Sequence, residues 1–258
     1  MNNSGYDCRM WVHAGGQKVY YEQAGEGEPL LLLHGWGVSG EVFRPLFMRL
    51  AGRLEVRAID FPGFGQTEKP DGVWGTEEYA ELVKKILDAW GLKNIDIIGH
   101  SFGARVALRL AHRHPEYVKT LVLTGAAGIR IQKPVPLSRK LLVKAGKVFG
   151  NLGAPGRMAK EAIYNRIGSA DYLAAGAMRP IFVKVVNEDL RDILPAIAHP
   201  VHLIWGENDR DTTLEAAEIM RAGLKNATLA VIPGAGHYAF LDKPDEFFRL
   251  LEKALDIQ

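Results

Sequence analysis

Short apolar runs alternate with amphipathic stretches along most of this chain. Six runs have the length and character of buried strands: Leu30–His34, Val56–Asp60, Ile95–His100, Val118–Thr124, Val201–Trp205 and Leu229–Ile232. Four stretches have the spacing of helices with one apolar face: Glu77–Trp90, Ala104–His114, Leu214–Ala222 and Asp245–Leu255. This alternation predicts an α/β fold, in which helices flank a mostly parallel sheet.

Two regions depart from the alternation. Near the start, Met10–His13 and Lys18–Glu22 are separated by a glycine-containing turn, which predicts an antiparallel hairpin. Residues 129–195 show helical periodicity without a clear strand, and they hold 12 Lys and Arg against 5 Asp and Glu. We therefore predict a helical cap at 129–195, inserted into a core formed by residues 1–128 and 196–258.

Composition and charge narrow the classes of function. The 258 residues are 47% hydrophobic and 24% charged, and the net charge of +2 gives no reason to expect nucleic acid as a partner. A single cysteine, Cys8, excludes an internal disulfide and a cysteine-based zinc cluster. Residues 1–10 lack the apolar centre of a secretion signal, and no apolar run approaches the ~20 residues of a membrane span. We expect a cytoplasmic protein, monomeric or dimeric, with a small-molecule substrate.

One stretch of the predicted cap offers the alternative of contact with a membrane. In Leu137–Phe149, three lysines (Lys140, Lys144 and Lys147) share one helical face, opposite an apolar face. A basic amphipathic helix can lie on an anionic membrane. Three lysines fall short of the larger clusters that bind lipids, so we expect a solvated face and no membrane contact.

Gly99–Gly103, with the sequence GHSFG, follows a predicted strand and opens a predicted helix. A nucleophilic serine in this context lies on a sharp turn that exposes its hydroxyl, and glycines flank it because side chains would clash. The pattern predicts Ser101 as a nucleophile.

A nucleophilic serine needs a base, and the base needs an acid that holds its tautomer. Of eight histidines, His237 lies in the loop after the last predicted strand, which makes it the candidate base. Asp209 follows the strand before that, and Asp211 and Glu207 are near enough to remain alternatives. The chain order serine, acid, histidine is that of one fold in particular.

Acyl chemistry also needs hydrogen-bond donors directed at the developing oxyanion. The sequence His34-Gly35-Trp36-Gly37 follows the first predicted parallel strand and can supply the Trp36 backbone N–H. Phe102, next to the serine, can supply the second N–H.

A competing pattern overlaps the same loop. Gly35–Gly40 fits the dinucleotide-binding pattern G-x-G-x-x-G, and Asp60 ends the next predicted strand 20 residues later. Against this interpretation, a bulky Trp36 lies where a pyrophosphate must approach, and Pro45 interrupts the helix that should follow. The interpretation also leaves Ser101 unexplained.

The chain resembles cap-bearing members of the α/β-hydrolase superfamily over nearly its whole length. The motifs that carry the resemblance are His34–Gly37, Asp60–Thr67, Gly99–Gly103, Gly206–Asp209 and Gly236-His237. The resemblance implies a cap over the serine and histidine, a structural role for Asp60 in fixing the glycine loop after it, and no metal or organic cofactor. Serine at the elbow, where haloalkane dehalogenases carry aspartate, disfavours dehalogenation, and Ala104 differs from the second glycine often found in haloperoxidase-like members.

The function predicted from these residues is a serine hydrolase with a Ser101-His237-Asp209 triad and an acyl-enzyme intermediate. The expected substrate is a carboxylic ester with an apolar or aromatic acyl part. Two alternatives remain open. One is hydrolysis of a C–C bond in a dienoic ring-cleavage product, and the other is a slow-turnover ligand receptor that keeps the hydrolase fold.

Overall fold

The computed structural model describes residues 9–131 and 170–257. Its eight strands form a single sheet and are β1 (Arg9–Ala14), β2 (Gln17–Ala24), β3 (Pro29–Leu33), β4 (Glu55–Ile59), β5 (Ile95–His100), β6 (Val118–Thr124), β7 (Val201–Gly206) and β8 (Ala227–Ile232). The spatial order is β1-β2-β4-β3-β5-β6-β7-β8. Strand β2 pairs antiparallel with β1 and β4, and every other neighbouring pair is parallel. The predicted fold class is confirmed.

The described helices are α1 (Arg44–Leu50), α2 (Thr76–Trp90), α3 (Phe102–Arg113), α4 (Ala170–Ala174), α5 (Arg179–Asn187), α6 (Leu214–Gly223), α7 (Ala239–Asp242) and α8 (Pro244–Leu255). Sequence periodicity missed α1 and α7, which are too short to show a repeating apolar face. The expectation that Pro45 interrupts a helix was wrong. Pro45 lies in the first turn of α1, where its missing N–H leaves no hydrogen bond unmade. Across residues 9–131 and 170–257, no helix is both long and apolar enough to cross a membrane.

The opening hairpin is confirmed, with a tighter turn than predicted. Both strands extend to the glycines, because Ala14 pairs with Gln17. Gly15 and Gly16 have φ values of 57° and 80°, as a two-residue hairpin turn of primed type requires. At the other edge, β8 begins two residues earlier than its apolar run.

The faces of the central strand β3 explain its unbroken run of leucines. Leu30 and Leu32 belong to a buried cluster that includes Phe47 of α1 and Phe248 of α8. Successive side chains of a strand point to opposite faces, so the alternate leucines lie on the other face, where α3 packs on the sheet. Both faces of the sheet are covered by helices.

The strand order places a crevice at one end of the sheet. The chain passes from β3 to β4 on one side, and β5 then pairs with the opposite side of β3. Loops that leave the carboxyl ends of β3 and β5 therefore diverge, which is where open α/β sheets bind ligands. The segments that begin at His34 and Ser101 are these two loops.

The chain divides into two compact units, Met1–Arg130 with Lys184–Gln258, and Ile131–Val183. Within the second unit, the Tyr172 and Phe182 rings have centroids 6.5 Å apart, and the Arg179 guanidinium lies 4.8 Å from the centre of the Tyr172 ring. The predicted basic helix Leu137–Phe149 lies outside the described residues, so the expectation about its lysines stays a prediction.

Candidate active site

Ser101 occupies a strained turn between β5 and α3. Its φ of 50° and ψ of −106° are unusual for a residue with a side chain. The flanking glycines allow the turn to pack closely, because a Cβ on Gly99 would lie 2.7 Å from Ala104 Cα and one on Gly103 would lie 2.0 Å from the Leu33 carbonyl oxygen. The backbone thus has the geometry predicted from the GHSFG sequence.

The loop after β6 lies next to both Ser101 and His237. The Ser101 N–H donates a hydrogen bond to the Thr124 carbonyl at 3.1 Å. The next residue, Gly125, has a φ of 50°, and a Cβ there would lie 2.9 Å from His237 Nδ1. The ring of His100, which precedes the serine, has its centroid 4.7 Å from that of His237. Serine and histidine therefore belong to one small region at the carboxyl edge of the sheet.

His237 is hydrogen-bonded to Asp209, with 2.8 Å between Nδ1 and Oδ2. The two loops meet because β7 and β8 are neighbours. Gly206, at the end of β7, lies so close to Gly236 that a Cβ on Gly206 would come within 2.1 Å of the Gly236 carbonyl oxygen. The carboxylate accepts this hydrogen bond, so His237 Nδ1 carries the proton and Nε2 is left as an acceptor.

Asp209 is also held by its own loop. Its Oδ1 accepts hydrogen bonds from the Asp211 and Thr212 amides, both at 2.9 Å, and its Oδ2 accepts one from the Thr212 hydroxyl at 2.8 Å. Burial raises the pKa of Asp209, but the hydrogen bonds from His237 and Thr212 outweigh it and lower the pKa below its ordinary value. The carboxylate is therefore ionised at neutral pH.

The structure separates the three acids that the sequence left open. Asp209 is buried and contacts His237, whereas Asp211 is exposed and contributes its amide to Asp209. Glu207 is exposed and accepts a hydrogen bond from the Gly234 amide at 2.9 Å. The Thr212 hydroxyl was missed, although a threonine three residues after an aspartate is a common local hydrogen-bonding pattern.

The two predicted oxyanion residues lie close to each other. The Trp36 and Phe102 rings have centroids 5.6 Å apart, and both approach Phe64, at 4.8 Å from Trp36 and 6.2 Å from Phe102. Trp36 lies in the loop after β3 and Phe102 is the first residue of α3, so the two amides lie on either side of the crevice. The three rings form an aromatic cluster in which Phe64 and Phe102 are buried and Trp36 is half-buried.

Two histidines that the sequence analysis set aside support the loops of the site. His34 Nδ1 donates to the Gly35 carbonyl at 2.7 Å, and its Nε2 accepts a hydrogen bond from the Phe61 amide at 2.9 Å. Burial lowers the pKa of His34 to about 4 and the pKa of His100 to about 3. Both side chains are therefore neutral at pH 7.

Asp60 has the structural role that the resemblance implied. It is buried, and its two oxygens accept hydrogen bonds from the Gly40 and Gln66 amides, each at 2.8 Å. A Cβ on Gly65 would lie 1.9 Å from Asp60 Oδ2. An acid enclosed in this way is not available to a ribose, so the dinucleotide-binding alternative is excluded.

Asp209, Asp211 and His237 also offer three possible ligand atoms within 4.8 Å of one another. A metal there would compete with the four hydrogen bonds that the Asp209 oxygens accept within the chain. An ionised carboxylate has about four acceptor positions, so these bonds fill it. The donor set fits an acid that orients a histidine better than it fits a metal ligand.

Comparison with known proteins identifies the family. The sequence profile of the alpha/beta hydrolase family matches residues 30–250. A 2-hydroxymuconate semialdehyde hydrolase of Pseudomonas putida is 30% identical over 266 residues, which cover 95% of this chain and 92% of that protein. A pimeloyl-[acyl-carrier protein] methyl ester esterase of Aliivibrio fischeri (strain MJ11) is 26% identical, with 92% and 97% covered. A bacterial membrane phospholipase A structure superposes with a TM-score of 0.78 at 26% identity, over 96% and 85% of the two chains. This chain therefore belongs to the alpha/beta hydrolase family.

Proposed function

We propose that this protein is a serine hydrolase that works through an acyl-enzyme, with Ser101 as nucleophile, His237 as base and Asp209 as the acid that orients it. The observation that carries the proposal is the 2.8 Å hydrogen bond between His237 and the buried Asp209, in the same region as a serine held in a strained turn. Nucleophile, base and orienting acid are the three groups that acyl transfer requires.

In the proposed reaction, His237 Nε2 takes the proton of the Ser101 hydroxyl while Oγ attacks the substrate carbonyl carbon. Asp209 stabilises the imidazolium that forms. The C–O bond to the alcohol then breaks, and His237 gives its proton to the leaving oxygen. Next, His237 deprotonates a water molecule that attacks the acyl-enzyme, and the acid leaves as Ser101 regains its proton.

The negative oxygen of each tetrahedral intermediate needs donors that are already in place. We assign this role to the backbone amides of Trp36 and Phe102, on either side of the crevice between β3 and β5. His34 supports the first loop by bonding to both the Gly35 carbonyl and the Phe61 amide.

We propose a carboxylic ester with an apolar or aromatic acyl part as the substrate. The half-buried Trp36, which packs on the buried rings of Phe64 and Phe102, supports this, because aromatic side chains favour apolar ligands. Two of the similar proteins support ester chemistry, since one is named a methyl ester esterase and the other a phospholipase.

The second candidate is hydrolysis of a C–C bond in a dienoic ring-cleavage product. Its support is the Pseudomonas putida relative, which is named a 2-hydroxymuconate semialdehyde hydrolase. We would measure kcat/KM for p-nitrophenyl butyrate, p-nitrophenyl benzoate and a 2-hydroxymuconate semialdehyde on the same preparation, with Ser101→Ala as the control. A higher kcat/KM for the esters supports the proposal, and a higher value for the dienoate replaces it with the second candidate.

A slow-turnover receptor is distinguished by the time course of the same assay. An enzyme releases p-nitrophenol at a steady rate over many turnovers. A receptor that keeps the triad is acylated once and then stalls, giving a burst of one equivalent. We expect steady turnover.

The predicted cap remains part of this proposal. We propose that residues 129–195 form the cap that selects the substrate, and that residues 1–128 with 196–258 form the catalytic core. A chimaera that exchanges 129–195 for the corresponding segment of a relative should change which ester is preferred and leave acylation by a small activated ester intact.

A further inference from the structure

His100 is a buried histidine that the proposed mechanism does not use. It ends β5 directly before Ser101 and has no exposed surface. Its Nε2 lies 3.2 Å from the backbone carbonyl oxygen of His237. A carbonyl only accepts, so Nε2 carries the proton and donates it to the loop that holds the base.

The His100 ring also touches the other loops of the site. Its centroid is 4.7 Å from the His237 ring and 4.6 Å from the Tyr238 ring. On the opposite side, a Cβ on Gly35 would lie 2.7 Å from His100 Nδ1, so the ring packs against the loop that carries the Trp36 amide. One side chain thus connects the nucleophile, the base and the oxyanion loop.

The neutral state of the His100 ring suits its position next to His237. With Nε2 protonated, Nδ1 is an acceptor, and this buried atom has no hydrogen-bond partner among the described residues. Burial keeps the ring neutral at pH 7 by lowering its pKa to about 3. A cation here would oppose the imidazolium that His237 forms during the reaction, whereas a neutral ring holds the base without this cost.

We propose that His100 is a positioning residue that fixes His237 relative to Ser101 by holding the His237 backbone carbonyl. The inference rests on the proposed function, because it assumes that His237 is the base. It adds how that base is held relative to Ser101, which the triad assignment by itself does not specify.

The test compares His100→Gln, whose Nε2 amide can occupy the position of the histidine Nε2, with His100→Leu, which fills the space and lacks a donor. We expect His100→Leu to lower kcat by about 10- to 100-fold with little change in KM, since small displacements of catalytic groups cost this much. His100→Gln should restore most of kcat. His100→Ala replaces His100→Leu if the latter fails to fold.

Two readouts separate positioning from a general loss of stability. The low-field proton resonance of His237 Nδ1–H, recorded without substrate, should shift or broaden in His100→Leu and stay near its wild-type position in His100→Gln. Ile86→Ala, a buried truncation in α2, is the stability control and should change neither kcat nor the resonance at temperatures where it is folded.

The proposal is overturned if His100→Leu keeps wild-type kcat, or if His100→Gln is as impaired as His100→Leu while the resonance is unchanged in both. The proposed function is judged separately, by wild-type turnover against Ser101→Ala. Loss of that difference would remove the triad assignment whatever the His100 variants do.

Discussion

Asp60 and Asp209 are two buried aspartates that follow strands at the carboxyl end of the sheet, and they differ in their hydrogen-bond partners. Asp60 accepts hydrogen bonds from the Gly40 and Gln66 amides and holds the glycine loop together. Asp209 accepts two amides and a hydroxyl in a similar way, and in addition it accepts the Nδ1–H of His237. Asp209 therefore accepts two hydrogen bonds more than Asp60 does, one from a hydroxyl and one from the titratable side chain of His237.

The acid with a structural role and the proposed catalytic acid therefore differ little in their surroundings. Both carboxylates are surrounded by backbone donors, so burial and hydrogen bonding alone do not distinguish their roles. The histidine that contacts Asp209 comes from the loop after β8, which neighbours β7, and among the described residues no histidine side chain hydrogen-bonds to Asp60.

The largest loss of activity is expected from Asp209→Asn. The amide cannot stabilise the imidazolium and favours the wrong tautomer of His237, so kcat should fall by about 10⁴-fold. The measurement is steady-state turnover of a p-nitrophenyl ester, with thermal unfolding as the control for folding. Retention of more than a tenth of wild-type kcat would contradict the assignment of Asp209.

Asp60→Asn should mainly lower stability, whereas Asp209→Asn should mainly lower activity. Its amide nitrogen would face a backbone N–H, leaving a buried donor unpaired, and such a group costs about 1–3 kcal/mol. Denaturant unfolding should show this loss of stability, while kcat falls far less than in Asp209→Asn. An inactive variant with an unchanged unfolding midpoint would give Asp60 a role in the chemistry.

His34 and Asp209 should also respond differently to acid. His34, on the Asp60 side, has its pKa lowered to about 4, so between pH 6.5 and 4 the unfolded chain binds a proton that the folded chain does not. Stability should therefore fall with decreasing pH by about 1.4 kcal/mol per unit from this residue. Asp209 has a lowered pKa, so its contribution is present above its unfolded value and is lost only at more acidic pH.

Unfolding curves at pH 7 and pH 4.5 test this difference. His34→Gln should flatten the pH dependence of the free energy of unfolding by about one proton, and Asp209→Asn should leave it nearly unchanged in this range. Equal slopes for wild type and His34→Gln would mean that His34 is not held neutral by burial.

The smallest effect on turnover is expected from Asp211→Asn. Asp211 is exposed, and the Nδ1–H of His237 bonds to Asp209 and not to Asp211. The hydrogen bond that Asp211 gives to Asp209 comes from its backbone amide, which the substitution keeps. Turnover should stay close to that of wild type. If Asp211→Asn lost more activity than Asp209→Asn, the acid of the triad would have to be reassigned.

Much of this architecture was predictable because its signals are local. The strands β5 and β6 match their apolar runs residue for residue, and the glycines around Ser101 follow from the close packing of the turn. The short helices α1 and α7 were not predictable, since seven and four residues carry no clear period.

The residues of the site also divide into those with a local sequence signal and those without one. Ser101 and His237 could be found from motif and chain order, whereas the choice among Glu207, Asp209 and Asp211 depends on how one loop folds. The roles of His34 and His100 depend on contacts between distant segments, such as the hydrogen bond from the Phe61 amide to His34, and no local pattern encodes these.

Identification of the residue that becomes acylated tests the central claim most directly. Wild-type protein treated with a fluorophosphonate probe should carry one label, which peptide mass spectrometry should place on Ser101. Ser101→Ala should carry none, should unfold as wild type does, and should lose several orders of magnitude in ester turnover. A label on a different residue, or wild-type turnover in Ser101→Ala, would contradict the account.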